Sequence, residues 1–539
     1  MKVTVKDILI SLGVTLLVAF VGFYFLLPAI NFQNKAFVGY LAILLVLFAA
    51  LCYLRAGWRG GMPFKDGFHI GVPEGALIAA AAVVLFAAVW GFIGSTKFLH
   101  AGRYQSLLNV QESNFAQDVT EAEFDQIPMV DRDSAVKLGD RKMGELVDMV
   151  SQFEVAGDYS QINFNDRPVR VTPLEYGDLI KWFNNQKNGL PAYVMIDMVT
   201  QEVTVNRLEQ GMKYSFSDHF GRYLPRHLRF RYPTYIFDDA IFEVDDSGHP
   251  YWVVPRVEYT IGLYGGKDVR GVVLCDAVTG DTEYYELADV PQWIDRAFSS
   301  DLLIEQFDNW GTLKHGFWNS IFGQRDSLKT TDGYNYIAMN DDIYMYTGVT
   351  SVVSDQSNVG FLLVNQRTKE ARYYSVPGAD ENSAKASAQG QVQNLRYTAT
   401  FPLLLNISGQ PTYFMALKDD AMLVKKYAMV NVSRYQIVAI GDTVMDCEKE
   451  YVRLMGQHGI NTEGAAGMQK ISGKITEIRT AVLDGNSVYY LKVEGQNAMF
   501  VVPVNKYNEV VAYNVGDTVE IEYSPDESLL AQIYAIRRP

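Results

Sequence analysis

The densest group of residues able to do chemistry lies between positions 219 and 231, where four arginines and two histidines occur in thirteen residues. Guanidinium groups bind phosphate oxygens through paired, charge-assisted hydrogen bonds. The cluster therefore predicts an anion site, for phosphate groups of an envelope polymer or for lipid headgroups. Its candidate members are His219, Arg222, Arg226, His227 and Arg229.

The same cluster has a structural interpretation, which we favour. Several acids follow it closely in the chain, and ion pairs with them would use up the arginines. These acids are Asp238, Asp239, Glu243, Asp245 and Asp246.

The usual catalytic signatures are missing from the sequence. It has no H-E-x-x-H helix, no G-x-S-x-G elbow and no C-x-x-C pair. Glycoside hydrolysis needs two carboxylates about 5–10 Å apart that flank the scissile glycosidic bond. The adjacent pair Asp341 and Asp342 would point to opposite faces of a strand and cannot supply them. We assign no catalytic residue and no cofactor, and whether the chain is an enzyme stays open.

Charge and cysteine content narrow the function further. The formal net charge of −15 argues against nucleic acid, whose phosphates need a basic face. The three cysteines have no spacing typical of a zinc site, so no metal is predicted. A disulfide between Cys275 and Cys447 cannot be decided from sequence.

The first 98 residues predict a membrane anchor. Three apolar segments, about 8–30, 37–54 and 76–98, reach the roughly 20 residues needed to cross hydrocarbon. None of them contains a buried Asp, Glu, Lys or Arg, which argues against a transport path. The N-terminus and second loop carry five basic residues against three on the other side. The two sets are Lys2, Lys6, Arg55, Arg59 and Lys65, and Lys35, Lys97 and Arg103. This bias predicts a multi-pass plasma-membrane protein with its large C-terminal part outside the cytoplasm.

Residues 99–150 predict a helical linker region, with a surface helix from Asp131 to Leu146. From 151 to 445 short β-rich runs dominate, interrupted by helices. Thr172 to Glu175 has the pattern of a capping box and predicts a helix start. Further helices are expected from about Asp289 to Gly311 and from Ala379 to Val392.

One turn pattern recurs in the β-rich region. An apolar strand ends at Asp or Asn, Thr follows three residues later, and an acid comes two residues after that. Such side chains accept backbone N–H groups in tight turns, so their role is expected to be structural. The pairs are Asp197 with Thr200, Asp276 with Thr279, and Asn365 with Thr368. A decayed fourth copy would end at Asn431.

This pattern resembles the PepSY-type module, a small extracytoplasmic α+β unit with a strand, D-x-x-T-G-E/D, strand signature. The best match runs from Val273 to Tyr285, whereas Gln201 and Lys369 stand where the signature has glycine. The resemblance implies a bacterial envelope protein of a class thought to regulate or shield proteases or to assist assembly. It implies no catalysis.

Residues 468–539 predict a separate unit, after a linker with Gly464 and Gly467. Five short strands in about 70 residues are typical of a small barrel of OB type. Acidic residues dominate it, which favours protein contact over oligonucleotide binding.

The sequence as a whole predicts an α+β protein. Three transmembrane helices precede a β-rich, repeat-containing soluble region with interspersed helices and a C-terminal OB-like barrel. We expect a non-enzymatic scaffold or regulator whose partners, besides the lipid bilayer, are a protein or a cell-wall ligand. The alternative is an envelope enzyme acting on a cell-wall polymer, with residues converging from separate repeats. A cytoplasm-facing scaffold remains if the orientation is reversed.

Overall fold

The computed structural model describes residues 3–57, 71–120, 127–339, 341–352, 354–460, 469–483, 486–504, 507–523 and 530–538. Lys2, Arg59, Lys65, Gly464 and Gly467 lie outside these ranges. The chain divides into two compact units. The first holds Met1–Glu112, Pro128–Asp355 and Phe361–Tyr373, and the second holds Ser113–Ile127, Gln356–Gly360 and Tyr374–Pro539.

The helices and strands alternate irregularly along the chain. The α-helices are α1 (Val5–Leu26), α2 (Lys35–Gly57), α3 (Val72–Phe86), α4 (Lys97–Gln105), α5 (Phe115–Asp118), α6 (Arg132–Gly144), α7 (Leu179–Asn185), α8 (Leu224–Arg231), α9 (Ser300–Thr312), α10 (Glu381–Gln391) and α11 (Val444–Gln457). The strands up to the middle of the chain are β1 (Val110–Ser113), β2 (Phe153–Val155), β3 (Ser160–Phe164), β4 (Arg167–Tyr176), β5 (Leu190–Asp197), β6 (Val203–Met212), β7 (Ile236–Phe237), β8 (Ile241–Val244), β9 (Pro250–Ile261), β10 (Gly265–Asp276), β11 (Thr282–Glu286), β12 (Leu328–Thr330), β13 (Asn335–Met339) and β14 (Asp342–Ser351). The later strands are β15 (Ser354–Asn365), β16 (Ala371–Tyr374), β17 (Gly378–Ala379), β18 (Thr398–Ala399), β19 (Leu403–Ile407), β20 (Gln410–Lys418), β21 (Val424–Asn431), β22 (Val438–Gly441), β23 (Gln469–Leu483), β24 (Asn486–Val493), β25 (Met499–Pro503), β26 (Thr518–Tyr523) and β27 (Leu530–Arg537).

Three N-terminal helices are long and apolar enough to cross a membrane: Val5–Leu26, Lys35–Gly57 and Val72–Ile93, the last including a π-helical turn after Phe86. Only 11–22% of their apolar windows is buried within the protein, so their surfaces need an apolar surrounding. The first and third helices begin and end three to five residues earlier than the predicted segments, and the second extends beyond its segment at both ends. Charged residues lie at the helix ends remote from the β-rich part. There Asp7 is buried and lies 3.7 Å from Arg55, and Tyr53 donates to Glu74 at 2.7 Å.

The first unit contains antiparallel sheets built around long hairpins. One has the order β2-β4-β5-β6, with β3 also paired to β4, and another has the order β11-β10-β9-β7, with β8 paired to β9. A further sheet pairs β14 with β12, β13 and β15. Buried side chains of the first two sheets share one core with α8, including Val194, Leu228 and Cys275.

Two predicted helix starts in this unit are wrong. Thr172 to Glu175 lies inside β4, where Thr172 pairs with Val194. The Thr172 hydroxyl donates to the carbonyls of Ala156 and Asp158 at 3.0 Å instead of capping a helix. The nearby helix α7 begins at Leu179, and the Asp178 side chain accepts the Lys181 N–H there. Similarly, a 3₁₀ turn covers 287–289 and α9 begins only at Ser300. Helices α6 and α10 lie inside their predicted ranges.

The second unit holds a sheet of order β18-β20-β21-β22, with β19 paired to β20, and a closed barrel of order β23-β24-β25-β27-β26. In the barrel only β25 and β27 run parallel among the described pairs. Its core is formed by apolar residues such as Leu491, Phe500 and Ile521. The unit therefore joins the last part of the 151–445 region to the C-terminal strands.

Candidate functional site

The predicted turn residues hold the ends of three hairpins. In each turn, one side-chain oxygen of the Asp or Asn accepts the N–H groups of the second and third following residues. The accepting residues and their donors are Asp197 with Val199 and Thr200 (both 2.8 Å), Asp276 with Val278 (2.7 Å) and Thr279 (3.0 Å), and Asn365 with Arg367 (2.8 Å) and Thr368 (2.9 Å). Asn431 accepts from Arg434 at 2.8 Å. These side chains satisfy backbone donors in the turns.

The threonines complete the same turns. Their hydroxyls accept the N–H of the acid two residues later, at 3.3 Å for Thr200, 3.2 Å for Thr279 and 3.4 Å for Thr368. The residue between them has positive φ, namely +63° at Gln201, +77° at Gly280 and +67° at Lys369. Glycine suits this position best, which explains the place of glycine in the pattern.

The arginine cluster contacts the end of an apolar helix. Arg226 Nε donates to the carbonyl oxygen of Tyr24 at 3.0 Å, and its guanidinium lies 4.1 Å from the centre of the Tyr24 ring. Arg229 Nε donates to the carbonyl oxygen of Leu27 at 3.0 Å. The last carbonyls of a helix have no partner within it and carry its negative dipole end. The two arginines therefore cap the C-terminus of α1.

Arg229 also orders the chain after α8. Its Nη1 donates to the carbonyl oxygens of Tyr232 and Tyr235, at 3.2 and 2.5 Å. Burial lowers the pKa of Arg229 to about 10, so the group stays charged at neutral pH. One buried guanidinium thus joins α1, α8 and the loop to β7.

The other cluster members have separate structural contacts. Arg222 Nη1 donates to the carbonyl oxygen of Gln186 at 2.5 Å, and the His219 ring packs against Trp182. His227 Nε2 lies 2.7 Å from the carbonyl oxygen of Gly280, and burial lowers the pKa of His227. The five residues do not converge on one point.

The predicted ion pairs of this cluster are absent from the described contacts. Asp238 pairs with Lys267 at 2.8 Å. The Asp245 side chain accepts the N–H groups of Ser247 and His249 in its own turn. Arg222, Arg226 and Arg229 donate to carbonyl oxygens instead, because the last carbonyls of a helix lack donors within it.

The first unit also contacts the loops at the ends of the other apolar helices. Between α1 and α2, Ile30 donates its N–H to the carbonyl oxygen of Pro233 at 2.7 Å. The Gln33 amide forms a reciprocal pair with the backbone of Tyr259, at 2.7 and 3.2 Å. After the third apolar helix, Ser95 Oγ accepts the N–H of Tyr264 at 3.0 Å. The β-rich part of this unit is therefore joined by hydrogen bonds to the same end of all three helices.

Two buried carboxyl groups, Glu243 and Asp295, lie side by side; the sequence predicted an ion pair for the first and gave no role to the second. Glu243 Oε2 accepts the N–H of Asp295 at 3.0 Å, and Asp295 Oδ2 accepts the N–H of Asn163 at 2.6 Å. Both residues are at most 1% exposed. Burial raises the pKa of Glu243 to about 7, and burial and the Glu243 charge raise that of Asp295. Such a pair holds a proton at neutral pH.

The adjacent Asp341 and Asp342 have different partners, although only Asp342 lies on a strand: Asp341 is in a turn with φ of +63°, and β14 begins at Asp342. Asp342 accepts two hydrogen bonds from Arg367, at 2.7 and 2.9 Å, and one from Asn365. Asp341 accepts from the side-chain amides of Asn163 and Gln292, both at 3.0 Å. The two carboxylates have different structural partners.

A cavity of about 190 Å³ opens beside the N-terminus of α9. Its polar lining includes Asp238, Asp239, Arg296, Ser299 and Asp301. Asp238 is already bonded to Lys267 and Ser299. These residues come from two segments about sixty positions apart, so titratable groups of different segments face a common space in this cavity.

The three cysteines are free and buried. Burial raises the pKa of Cys275 to about 12, so its thiol is unreactive in the folded protein. Among the described residues, no group of three or more His, Cys, Asp or Glu side chains is arranged to hold a metal ion.

Charge on the barrel is balanced locally. Four of its acids lie within 3.2 Å of basic side chains of the same unit. The pairs are Glu477 with Arg479, Glu520 with Arg537, Glu522 with Lys470, and Asp517 with Arg538. These four basic residues are thus not free to track a phosphate backbone.

No protein-family model matches the chain, and no curated protein matches it significantly in sequence.

Proposed function

We propose that the chain is a multi-pass membrane protein that holds a β-rich binding body against one face of the bilayer. The observation that carries this proposal is the set of hydrogen bonds from the body to one end of the three apolar helices. Arg226, Arg229 and Gln33 make the central ones. A body fixed in this way keeps a constant orientation to the membrane, which suits a scaffold or regulator.

The body lies outside the cytoplasm, in a bacterial envelope, and binds a partner protein or a cell-wall polymer. The basic residues flanking the apolar helices favour this orientation. The resemblance to PepSY-type modules adds support, since Asp276, Thr279, Gly280 and Asp281 match its signature. We regard the hairpins ending at Asp197, Asp276 and Asn365 as copies of one module, because their turns use the same hydrogen bonds. The C-terminal barrel is of OB type.

Binding rather than catalysis is the favoured activity because three buried carboxyl groups of the first unit are occupied by structural partners. Glu243 and Asp295 are buried, and Asp342 is neutralised by Arg367.

Cysteine labelling tests the orientation. The native thiols are buried, so a cysteine introduced at the exposed Val511 is the one expected to react with a membrane-impermeant maleimide. We expect Val511→Cys to be labelled in cells whose inner membrane is intact, while the unchanged chain is not. Labelling only after the inner membrane is opened would place the body in the cytoplasm.

Photo-crosslinking tests the binding role. A benzophenone amino acid is placed in the full chain at exposed positions of both units, Val147, Tyr435 and Val511. The same residue at the buried Phe500 is the matched control. A binding body predicts crosslinks to one defined protein or polymer from a subset of the exposed positions. Products spread over unrelated proteins, or equal at Phe500, would contradict a binding function.

The alternative is an envelope enzyme, and the cavity beside α9 is the observation that favours it. Asp239, Arg296 and Asp301 would face a substrate there. The test is release of soluble fragments from purified cell-wall polymer by the full chain. Activity that Asp301→Asn abolishes, with Asp420→Asn as a control, would replace the binding proposal by this one.

A further inference from the structure

The first unit exposes two groups of large apolar side chains beside the ends of the apolar helices that contact the body. The α7 patch consists of Leu179, Ile180, Phe183 and Phe220, and the aromatic patch consists of Phe98, Trp318, Ile321 and Phe322. Their exposed fractions lie between 48% and 77%. Contiguous apolar surface of this kind marks an interaction site.

The α7 patch is connected to the end of α1. The Phe220 ring packs on Trp182, which anchors α7 in the core. Arg226 donates to the carbonyl oxygen of Phe220 at 2.7 Å and to that of Tyr24 at 3.0 Å. Because one guanidinium donates to both carbonyls, the backbone of Phe220 in the patch lies close to the last turn of α1.

The aromatic patch is connected to the end of the third apolar helix. Phe98 follows Ile93, the end of that helix, by five residues. Its ring lies 5.4 Å from Phe317 and 5.7 Å from Trp318, between ring centres. Trp318 in turn stacks on Phe322 at 5.8 Å. The patch thus continues the apolar surface of the helix onto the body.

Exposed large apolar side chains are unevenly distributed over the first unit. Elsewhere in the first unit outside the apolar helices, the large apolar side chains that the described residues expose are Ile30, Phe32, Leu99, Val147, Val150, Phe216, Phe230 and Tyr334. Of these, Ile30 and Phe32 lie in the loop between α1 and α2, Leu99 adjoins Phe98, and Phe230 packs on Phe23 and Tyr24. Exposed apolar surface is therefore concentrated where the body approaches the helix ends.

We infer that both patches insert into the lipid of the bilayer that holds the three apolar helices. The inference rests on the proposed membrane-spanning arrangement. The α1 and α3 ends lie on the body side of the bilayer, and aromatic and aliphatic side chains at that level enter the headgroup and upper acyl region, about 5–10 Å deep. The lipid then fixes the tilt of the body at two points, in addition to its hydrogen bonds to the helices.

A depth measurement tests the inference on the full chain in nanodiscs of phosphatidylcholine and phosphatidylglycerol. Single cysteines replace Ile180 and Phe322, and each is labelled with the environment-sensitive dye NBD. Val147→Cys, at 84% exposure and outside both patches, is the matched control. Leu85→Cys, exposed on α3, reports whether the helix itself is embedded. Spin labels at carbon 5 or carbon 12 of the lipid chain quench the dye.

We expect NBD at Ile180→Cys and Phe322→Cys to be blue-shifted and several-fold brighter than at Val147→Cys. Quenching there should be stronger from carbon 5, and at Leu85→Cys stronger from carbon 12. A water-like signal at both patch positions with deep quenching at Leu85→Cys would overturn the inference and leave the proposed function intact. A water-like signal at Leu85→Cys would overturn both. Patch positions that become shielded only when a membrane extract is added would also overturn the inference, since a protein would then cover them.

Discussion

Replacing Arg229 by leucine should loosen the core of the first unit. The change keeps an apolar stem in place but removes the donors to the carbonyl oxygens of Leu27, Tyr232 and Tyr235. A buried acceptor left without a donor costs about 1–3 kcal/mol. The three acceptor residues are half-buried, so water replaces part of the loss. We therefore expect a destabilisation of about 3 kcal/mol.

Cys275 provides the assay. Its thiol is fully buried and belongs to the same core as Leu228 of α8. In a chain with Cys52 and Cys447 changed to alanine, maleimide reacts with Cys275 only when this core opens. A loss of about 3 kcal/mol should raise the labelling rate roughly 10²-fold, since each 1.4 kcal/mol is about a factor of ten.

Two matched substitutions on the same helix distinguish the loss of the Arg229 hydrogen bonds from a general loss of positive charge. Arg231 is exposed and has one hydrogen bond, to Thr282 at 3.2 Å, so Arg231→Leu should change the rate by no more than about twofold. Arg229→Lys should lie between the two, because an ammonium cannot reach all three carbonyls. Equal labelling rates for Arg229→Leu and Arg231→Leu would refute the capping role of Arg229.

Three further predictions concern the first unit. Glu243 keeps its proton in the folded state up to about pH 7 but loses it near pH 4.5 in the unfolded state. The free energy of unfolding should therefore fall by roughly 3 kcal/mol as the pH rises from 4.5 through 7. Glu243→Gln should flatten this dependence in urea unfolding followed by tryptophan fluorescence, and an unchanged slope would contradict it. Asp276→Ala should lower the free energy of unfolding by about 2 kcal/mol in the same assay, because two N–H groups lose their acceptor. Asp276→Asn keeps the acceptor and should be nearly neutral. Equal losses of stability for the two variants would exclude the turn role of Asp276. Gly280→Ala should lower the melting temperature more than Gly316→Ala. Both glycines have positive φ, but only at Gly280 would an added Cβ meet a ring, that of Tyr214 at 2.3 Å. An equal decrease for the two variants would show that the Tyr214 ring moves aside and would contradict the prediction.

Much of the secondary structure followed from local pattern. Long uncharged runs predicted the three apolar helices because only apolar surroundings tolerate them. The turn at Asp276 was predictable because its chemistry involves residues two and three positions away. The segment from Thr172 to Glu175 was mistaken for a helix start because its residue types suit a cap, whereas burial on both sides of β4 decided its conformation.

The contacts of the candidate site were beyond sequence reasoning. Arg226 and Arg229 donate to backbone carbonyls 202 residues away. Because every residue has a backbone carbonyl, the sequence does not show which one an arginine will bind. Glu243 and Asp295 are 52 positions apart, and each alone is an ordinary surface acid by type. Only the fold brings them together and buries them.

The attachment of the body to the apolar helices is best tested by crosslinking within native membranes. A benzophenone amino acid replaces Phe230, whose ring lies 5.4 Å from Phe23, and in a second variant Phe317, which lies 5.4 Å from Phe98. We predict intramolecular crosslinks from the first to the end of α1 and from the second to the start of α4, identified by mass spectrometry. Crosslinks from both positions only to other proteins, with none to these two segments, would contradict a body fixed on the helix ends.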